Sequence, residues 1–155
     1  MKALLEPIKE IARFDELFRD LKKGTAGVTV ISGCLESQKA HMIAGLSEDV
    51  PVRLLIAENE LKAKELYEDY QLYDAETLYY PAKDLIFYQA DIHGNLLIRQ
   101  RLQVIQALLE RKEVTIITSV GGCMDFLLPL GVFEKHCIHL RNDSELDLDK
   151  IRKEL

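Results

Sequence analysis

The residues with the clearest capacity for chemistry are Gly33-Cys34-Leu35-Glu36-Ser37-Gln38-Lys39-Ala40. They have the length of a phosphate-binding loop, G-x-x-x-x-G-K-[ST], in which backbone N–H groups cradle phosphates, the lysine meets their charge and the hydroxyl binds magnesium. Gly33 and Lys39 fill the first glycine and the lysine positions. Gln38 stands at the second glycine, putting a long side chain where the backbone must bend tightly. Ala40 puts a methyl where the magnesium ligand belongs. Glu36 and Ser37 lie inside the loop, and the Glu36 carboxylate brings negative charge to a place where a triphosphate would bring more. Spacing alone leaves two readings open, an unrelated strand-turn-helix that carries a Gly and a Lys or a vestigial nucleotide-binding loop. The flanking sequence has to decide between them.

Other candidates have plainer explanations. His136-Cys137-Ile138-His139 would split its ligands between two faces of a strand, with no fourth ligand nearby, so no metal site is expected. Cys123 follows Gly121-Gly122 without a local base to activate it, which favours packing over nucleophilic catalysis. Tyr79, Tyr80, Phe87 and Tyr88 have a single basic residue among them, Lys83, too little for a base-stacking surface, and are expected to close the edge of a core. Asp91-Ile92-His93-Gly94 is expected to be a turn and helix cap. No catalytic residue is expected.

The elements that would position the loop follow a regular order. Leu4, Ile8, Ile11, Phe14, Phe18 and Leu21 recur at helical spacing, with a break expected near Pro7. Val28–Ile31 is β-branched and predicts a strand, followed by a helix over Ser37–Leu46. Val52–Ala57 predicts the next strand. Asn59 can cap a helix whose face carries Ala63, Leu66, Tyr67 and Tyr70. Thr77–Tyr80 predicts a third strand stopped by Pro81, and Pro81–Gly94 an irregular connection. Ile98, Leu102, Ile105 and Leu109 predict a helix, and Val114–Thr118 a fourth strand. Strands alternating with helices imply parallel pairing and right-handed crossovers, a doubly wound α/β fold. After Pro129-Leu130-Gly131 the pattern changes. Lys135–Leu140 predicts a strand, and a helix is expected to start at Asp147 or Asp149. The expected division is residues 1–130 as the α/β domain and 131–155 as the opening strand and helix of a second module.

Composition narrows the partners. With 48% hydrophobic and 30% charged residues in 155, a folded core is expected. The net charge of −6, from 26 acidic and 20 basic residues, and the lack of any basic stretch longer than Lys22-Lys23 before the C-terminal helix argue against direct duplex binding. Three separated cysteines fit a reducing compartment, and Glu6, Lys9 and Glu10 interrupt any signal-peptide core, so a cytoplasmic protein without membrane contact is expected.

Taken end to end, the chain resembles the first domain of the UvrB family of nucleotide excision repair proteins, and more closely the matching N-terminal region of the bacterial transcription-repair coupling factors, Mfd. Val28–Leu46 stands where UvrB has its Walker A strand and helix. Arg53-Leu-Leu-Ile-Ala-Glu-Asn59, Leu78-Tyr-Tyr-Pro81 and the stretch Arg99–Ser119 are similar to the segments that follow. Three departures separate the chain from UvrB itself. No glutamine that would read adenine precedes Gln38, too few residues separate Pro81 from Arg99 for the damage-probing hairpin, and the loop is degenerate.

The resemblance therefore implies a degenerate, UvrB domain 1a-like fold with a vestigial loop at Gly33, Glu36, Ser37, Gln38, Lys39 and Ala40. It implies a non-catalytic fragment of a bacterial coupling factor that helps recruit UvrA to stalled RNA polymerase. The UvrA contact would need the complete second module. RNA polymerase and DNA would be met by other domains of the parent, where ATP and magnesium serve the motor; the fragment itself would take no cofactor. The alternative is a P-loop nucleotide-binding or ATPase domain of a DNA repair helicase.

Overall fold

The strand β3 (Val114–Ser119) is buried along its whole length, as a strand covered on both faces must be. It pairs in parallel with β1 (Val52–Ala57) on one side and β2 (Thr77–Tyr80) on the other, so the sheet order is β1-β3-β2. The computed structural model describes residues 2–24, 27–83, 91–110 and 112–137. The chain divides into two units, Met1–Asp125 and Phe126–Leu155.

Helices cover both faces of the sheet, which is the doubly wound α/β arrangement. The N-terminal residues break near Pro7 into α1 (Lys2–Leu5), a 3-10 turn (Glu6–Glu10) and α2 (Phe14–Lys22). On one face of the sheet, α3 (Glu36–Leu46) and α4 (Glu60–Tyr70) bring Ala40, Ala44 and Tyr70 against Ile117, with Leu55, Leu66 and Tyr67 at the margin. The N-terminal layer docks on α3 through Ile8, Phe14 and Met42. The approach is close at Gly45, where a Cβ would lie 2.7 Å from the Ile8 methyl. On the other face, α5 (Asp91–Leu109) sets Val104 and Ala107 against Val114, Ile116 and Tyr80. A short helix, α6 (Val120–Met124), follows β3 directly.

At the N-terminal ends of the three strands a carboxylate ties the sheet together. Arg53 of β1 pairs with Asp74 at 3.0 Å, and Thr115 of β3 donates to the same carboxylate at 2.6 Å. Asp74 also accepts the Glu76 N–H just before β2. Such a shared acceptor fixes register where short strands alone would allow slippage.

Four expectations need correction. Val28–Ile31 forms no strand and joins no ladder of the described sheet, and Val28 and Val30 are 93% and 83% exposed. Its β-branched residues favour a strand only when a neighbouring strand supplies a ladder and a face to pack on, and the described sheet ends at β1. Asp91–Gly94 belongs to α5, which shortens the irregular connection after Pro81; residues 84–90, including Phe87 and Tyr88, lie outside the described residues.

On α5 the residues packed against the sheet are Val104, Ala107 and Leu108, while of the expected stripe only Ile105 is fully buried and Ile98 and Leu102 stay half-exposed. In the second unit, Lys135 ends a helix rather than starting a strand. That helix is α7 (Leu130–Lys135), capped by His136, whose Nδ1 donates to the Val132 carbonyl at 2.8 Å. The remainder of the expected strand and the helix after it lie outside the described residues.

Candidate functional site

The degenerate loop is organised as the start of a helix. Gly33 adopts φ 86°, a left-handed conformation natural to glycine, and turns the chain into α3. The helix begins at Glu36, three residues before Lys39, so Ser37, Gln38, Lys39 and Ala40 are already helical. Gln38 explains its own presence. Its side-chain Oε1 accepts the Leu35 N–H at 3.2 Å while its backbone N–H donates to the Leu35 carbonyl at 2.9 Å. Leu35 has no side-chain acceptor, so this is the glutamine half of a capping box. An N–H that a phosphate cradle would need is thereby occupied.

The two remaining groups of the motif are also engaged. Lys39 Nζ donates to Glu36 Oε1 at 2.6 Å, one turn back on the exposed face. The hydrogen bond and charge of Lys39 hold the Glu36 carboxyl below its ordinary value. Ala40 is 3% exposed and packs in the core with Leu5, Ala44, Tyr70 and Ile117. A hydroxyl there would point into apolar packing rather than toward a metal. Ser37 is exposed. A cleft of about 630 Å³ beside the loop is lined by Arg13, Phe14, Leu17, Val30, Cys34 and Met42 among others, and the Arg13 charge in it is paired to Glu16 at 2.9 Å.

The C-terminal ends of parallel strands are the usual place for a ligand in an open α/β sheet. Here that edge is filled by hydrogen bonds. Glu60, the first residue of α4, follows Asn59, whose Oδ1 caps the helix by accepting Lys62 N–H at 2.9 Å. Glu60 Oε1 accepts the Ala82 N–H at 2.8 Å and the Ser119 hydroxyl at 2.9 Å, and Oε2 accepts the Tyr79 hydroxyl at 2.7 Å. Burial and the Glu60 carboxylate raise the Tyr79 pKa, because the phenolate would lose its water and face a negative charge. Beside this cluster, Arg101 stacks over the Tyr80 ring and donates to the Pro81 carbonyl and to Asp125, both at 2.7 Å. Asp125 also accepts the Lys83 N–H.

The sequence motif identified the loop but not these clusters, whose members come from five separate segments. Asn59-Glu60 directly after a strand was the one local signal, since it marks a helix start at the sheet's functional edge. Cys123 is an exposed residue of α6, and among the described residues no group of His, Cys, Asp and Glu can hold a metal ion. No described helix is long and apolar enough to cross a membrane.

No family model matches the chain. Among curated proteins it is similar to the transcription-repair-coupling factor of Staphylococcus aureus strain USA300, 31% identical over 160 aligned positions that cover 100% of this chain and 13% of the relative. The protein of that name from strain MRSA252 is 30% identical over the same share. The one from Staphylococcus haemolyticus is 27% identical over 129 positions, 81% of this chain and 11% of the relative. The chain thus spans about one eighth of the length of the relatives it matches. These 155 residues are homologous, along their whole length, to the N-terminal region of the transcription-repair-coupling factors.

Proposed function

We propose that this chain is a non-catalytic, UvrB-like module of a bacterial transcription-repair-coupling factor, and that it helps bring UvrA to RNA polymerase stalled on damaged DNA. The end-to-end similarity to the N-terminal region of those factors carries the reading. The loop supports the non-catalytic part. Gln38 caps α3, Lys39 is paired to Glu36, and Ala40 is committed to the core. Residues 1–130 would be the α/β module and 131–155 the beginning of a second module that carries the UvrA contact. RNA polymerase and DNA would be met by other parts of the parent protein, and ATP with magnesium by its motor. The module itself would need no cofactor and would work in the cytoplasm.

Pull-down with purified UvrA tests the reading. The 155-residue chain should retain UvrA weakly or not at all, and a polypeptide extended through the complete second module should retain it clearly. Equal retention by both would move the contact into the first module. No retention by either would end the recruitment reading.

The competing reading, a nucleotide-binding domain of a repair helicase, requires micromolar binding of Mg-ATP. The occupied Leu35 N–H and the buried Ala40 methyl speak against it.

A further inference from the structure

Helices α3 and α4 leave a groove of about 440 Å³ between them, at the end of β1. Glu36, Lys39 and Ile43 of α3 line one side, and Lys62, Glu65, Leu66 and Asp69 of α4 the other, each set spaced for a single helix face. Glu58, just past β1, joins the lining. Ile43 and Leu66 pack against the core cluster of Ala40, Ala44, Tyr70 and Ile117 and are only partly buried by it, so their remaining surface gives the groove an apolar floor.

The rim is acidic. Four carboxylates, of Glu36, Glu58, Glu65 and Asp69, stand against the two ammonium groups of Lys39 and Lys62. Lys39 is paired with Glu36 at 2.6 Å and Lys62 with Glu65 at 2.8 Å, each within its own helix, so these charges cancel. Among the described residues neither Glu58 nor Asp69 belongs to an ion pair, and both are exposed. The two sides of the groove are close enough to interact. The hydrogen bond and charge of Lys39, with the charge of Lys62 from the other helix, hold the Glu36 carboxyl below its ordinary value.

Glu36, Ser37 and Lys39 of the vestigial loop all line this groove. Where a working loop turns N–H groups and a lysine toward phosphate, they present a carboxylate and a lysine already neutralised. A nucleic acid would set its phosphates against Glu58 and Asp69. A cationic guest meets the opposite situation.

From the apolar floor and the acidic rim we infer that the groove docks an extended segment of a partner protein, in which one apolar residue stands between two arginines or lysines. From Glu60, which follows Glu58 closely, to Asp69 the helix α4 rises about 14 Å. In an extended segment, residues four apart are separated by about 13 Å and point to the same side. The pattern is therefore basic-x-apolar-x-basic. The apolar residue covers Ile43 and Leu66, and the stems of the basic residues lie along the walls. Their charged heads reach Glu58 toward one end and Asp69 toward the other, as charge-assisted hydrogen bonds.

The probe is the peptide acetyl-Arg-Ser-Leu-Ser-Arg-amide, titrated into the isotopically labelled 155-residue chain and followed by amide chemical shifts. The amides of Lys39, Ile43, Lys62, Leu66 and Asp69 should shift together and saturate, with a Kd of about 1 mM. The same peptide with glutamate at both ends should leave them unmoved. In the double variant Glu58→Lys, Asp69→Lys the affinity should fall about tenfold, with the amides of β3 unmoved as proof that the fold is intact. Salt gives a readout that needs no variant, since about 0.5 M sodium chloride should weaken binding to the parent chain several-fold. No saturable shift, an equal response to the acidic peptide, undiminished binding by the folded double variant, or indifference to salt overturns the inference. So does the same set of shifts on concentrating the chain alone, which would make a second copy the occupant.

Discussion

The Ser119 hydroxyl donates to Glu60 Oε1 at 2.9 Å and accepts the Gly122 N–H at 3.0 Å, so one side chain joins the end of β3 to the first turns of two helices. The junction is tight. A Cβ at Gly122 would collide with the Thr118 hydroxyl and lie 3.2 Å from the Tyr80 carbonyl, which leaves room for glycine alone. With Tyr79 and Ala82 on the same carboxylate, Glu60 binds the C-terminal ends of β2 and β3 to the start of α4. Asp74 does the same for the N-terminal ends of β1 and β3.

Glu60→Ala should therefore destabilise the fold by about 2–4 kcal/mol, because it strands a backbone N–H and two hydroxyls in partly buried positions. Glu60→Gln keeps one acceptor oxygen and should lose less. Urea denaturation of the two variants and the parent gives the comparison. An alanine variant as stable as the parent would mean that water replaces the carboxylate without loss.

Alkaline pH should weaken the same junction. The folded-state pKa of Tyr79 is raised above its ordinary value of 10.0, first by burial and then by its hydrogen bond to Glu60. The unfolded chain thus releases this proton at lower pH than the folded chain does. The contribution is complete below about pH 10 and disappears as pH rises through the folded value. Stability should fall with pH above 10, and the fall should be shallower in Tyr79→Phe. Identical slopes for the two proteins in chemical denaturation from about pH 9 to about 11.5 would contradict the assignment.

Much of the fold was legible because its signals are local. The apolar runs Val52–Ala57 and Val114–Thr118, the Asn59 cap and the stop at Pro81 each act within a few residues, and each lies where the sequence predicts, the last strand running one residue further to Ser119. Val28–Ile31 failed as a strand because pairing is a property of two segments, and composition reports on one. Leu102 misled for a related reason. Helical spacing identifies an apolar stripe but not which of two stripes on α5 meets the sheet, and the buried Arg101 belongs to the side that does. The loop at Gly33–Ala40 was visible as a motif, whereas the core position of Ala40 depends on Tyr70 and Ile117, far away in sequence. The Glu60 and Asp125 clusters left almost no trace, since their partners are backbone groups and hydroxyls with no motif spacing.

Arg101 offers a test of how the ion pair and the ring stack share their work. Its guanidinium sits 4.2 Å from the Tyr80 ring centroid, and its Nη1 serves both Pro81 and Asp125. Arg101→Met should cost about 3 kcal/mol, leaving the Asp125 carboxylate and the Pro81 carbonyl without their donor. Arg101→Lys keeps the charge but loses the planar stack, and should recover only part of the loss. Full recovery in thermal unfolding of the lysine variant would show that charge alone suffices.

The last prediction concerns repair of the loop. Gln38→Gly removes the acceptor of the Leu35 N–H and puts the most flexible residue into the first turn of α3, while Ala40→Thr restores the hydroxyl of the motif. In an active loop the two changes would cooperate. Here Ala40 occupies a core site, closed by Leu5, Ala44 and Tyr70, so the added hydroxyl and methyl should cost about 1–3 kcal/mol before any ligand is considered. The double variant should thus be less stable than the parent and should neither bind Mg-ATP at micromolar concentration nor hydrolyse it. Calorimetric titration and phosphate release, each compared with Lys39→Ala, measure both outcomes. Tight binding by the double variant would show that α3 can unwind at Glu36 and rebuild a phosphate cradle. Tight binding by the parent chain would overturn the vestigial assignment of Gly33–Ala40 altogether.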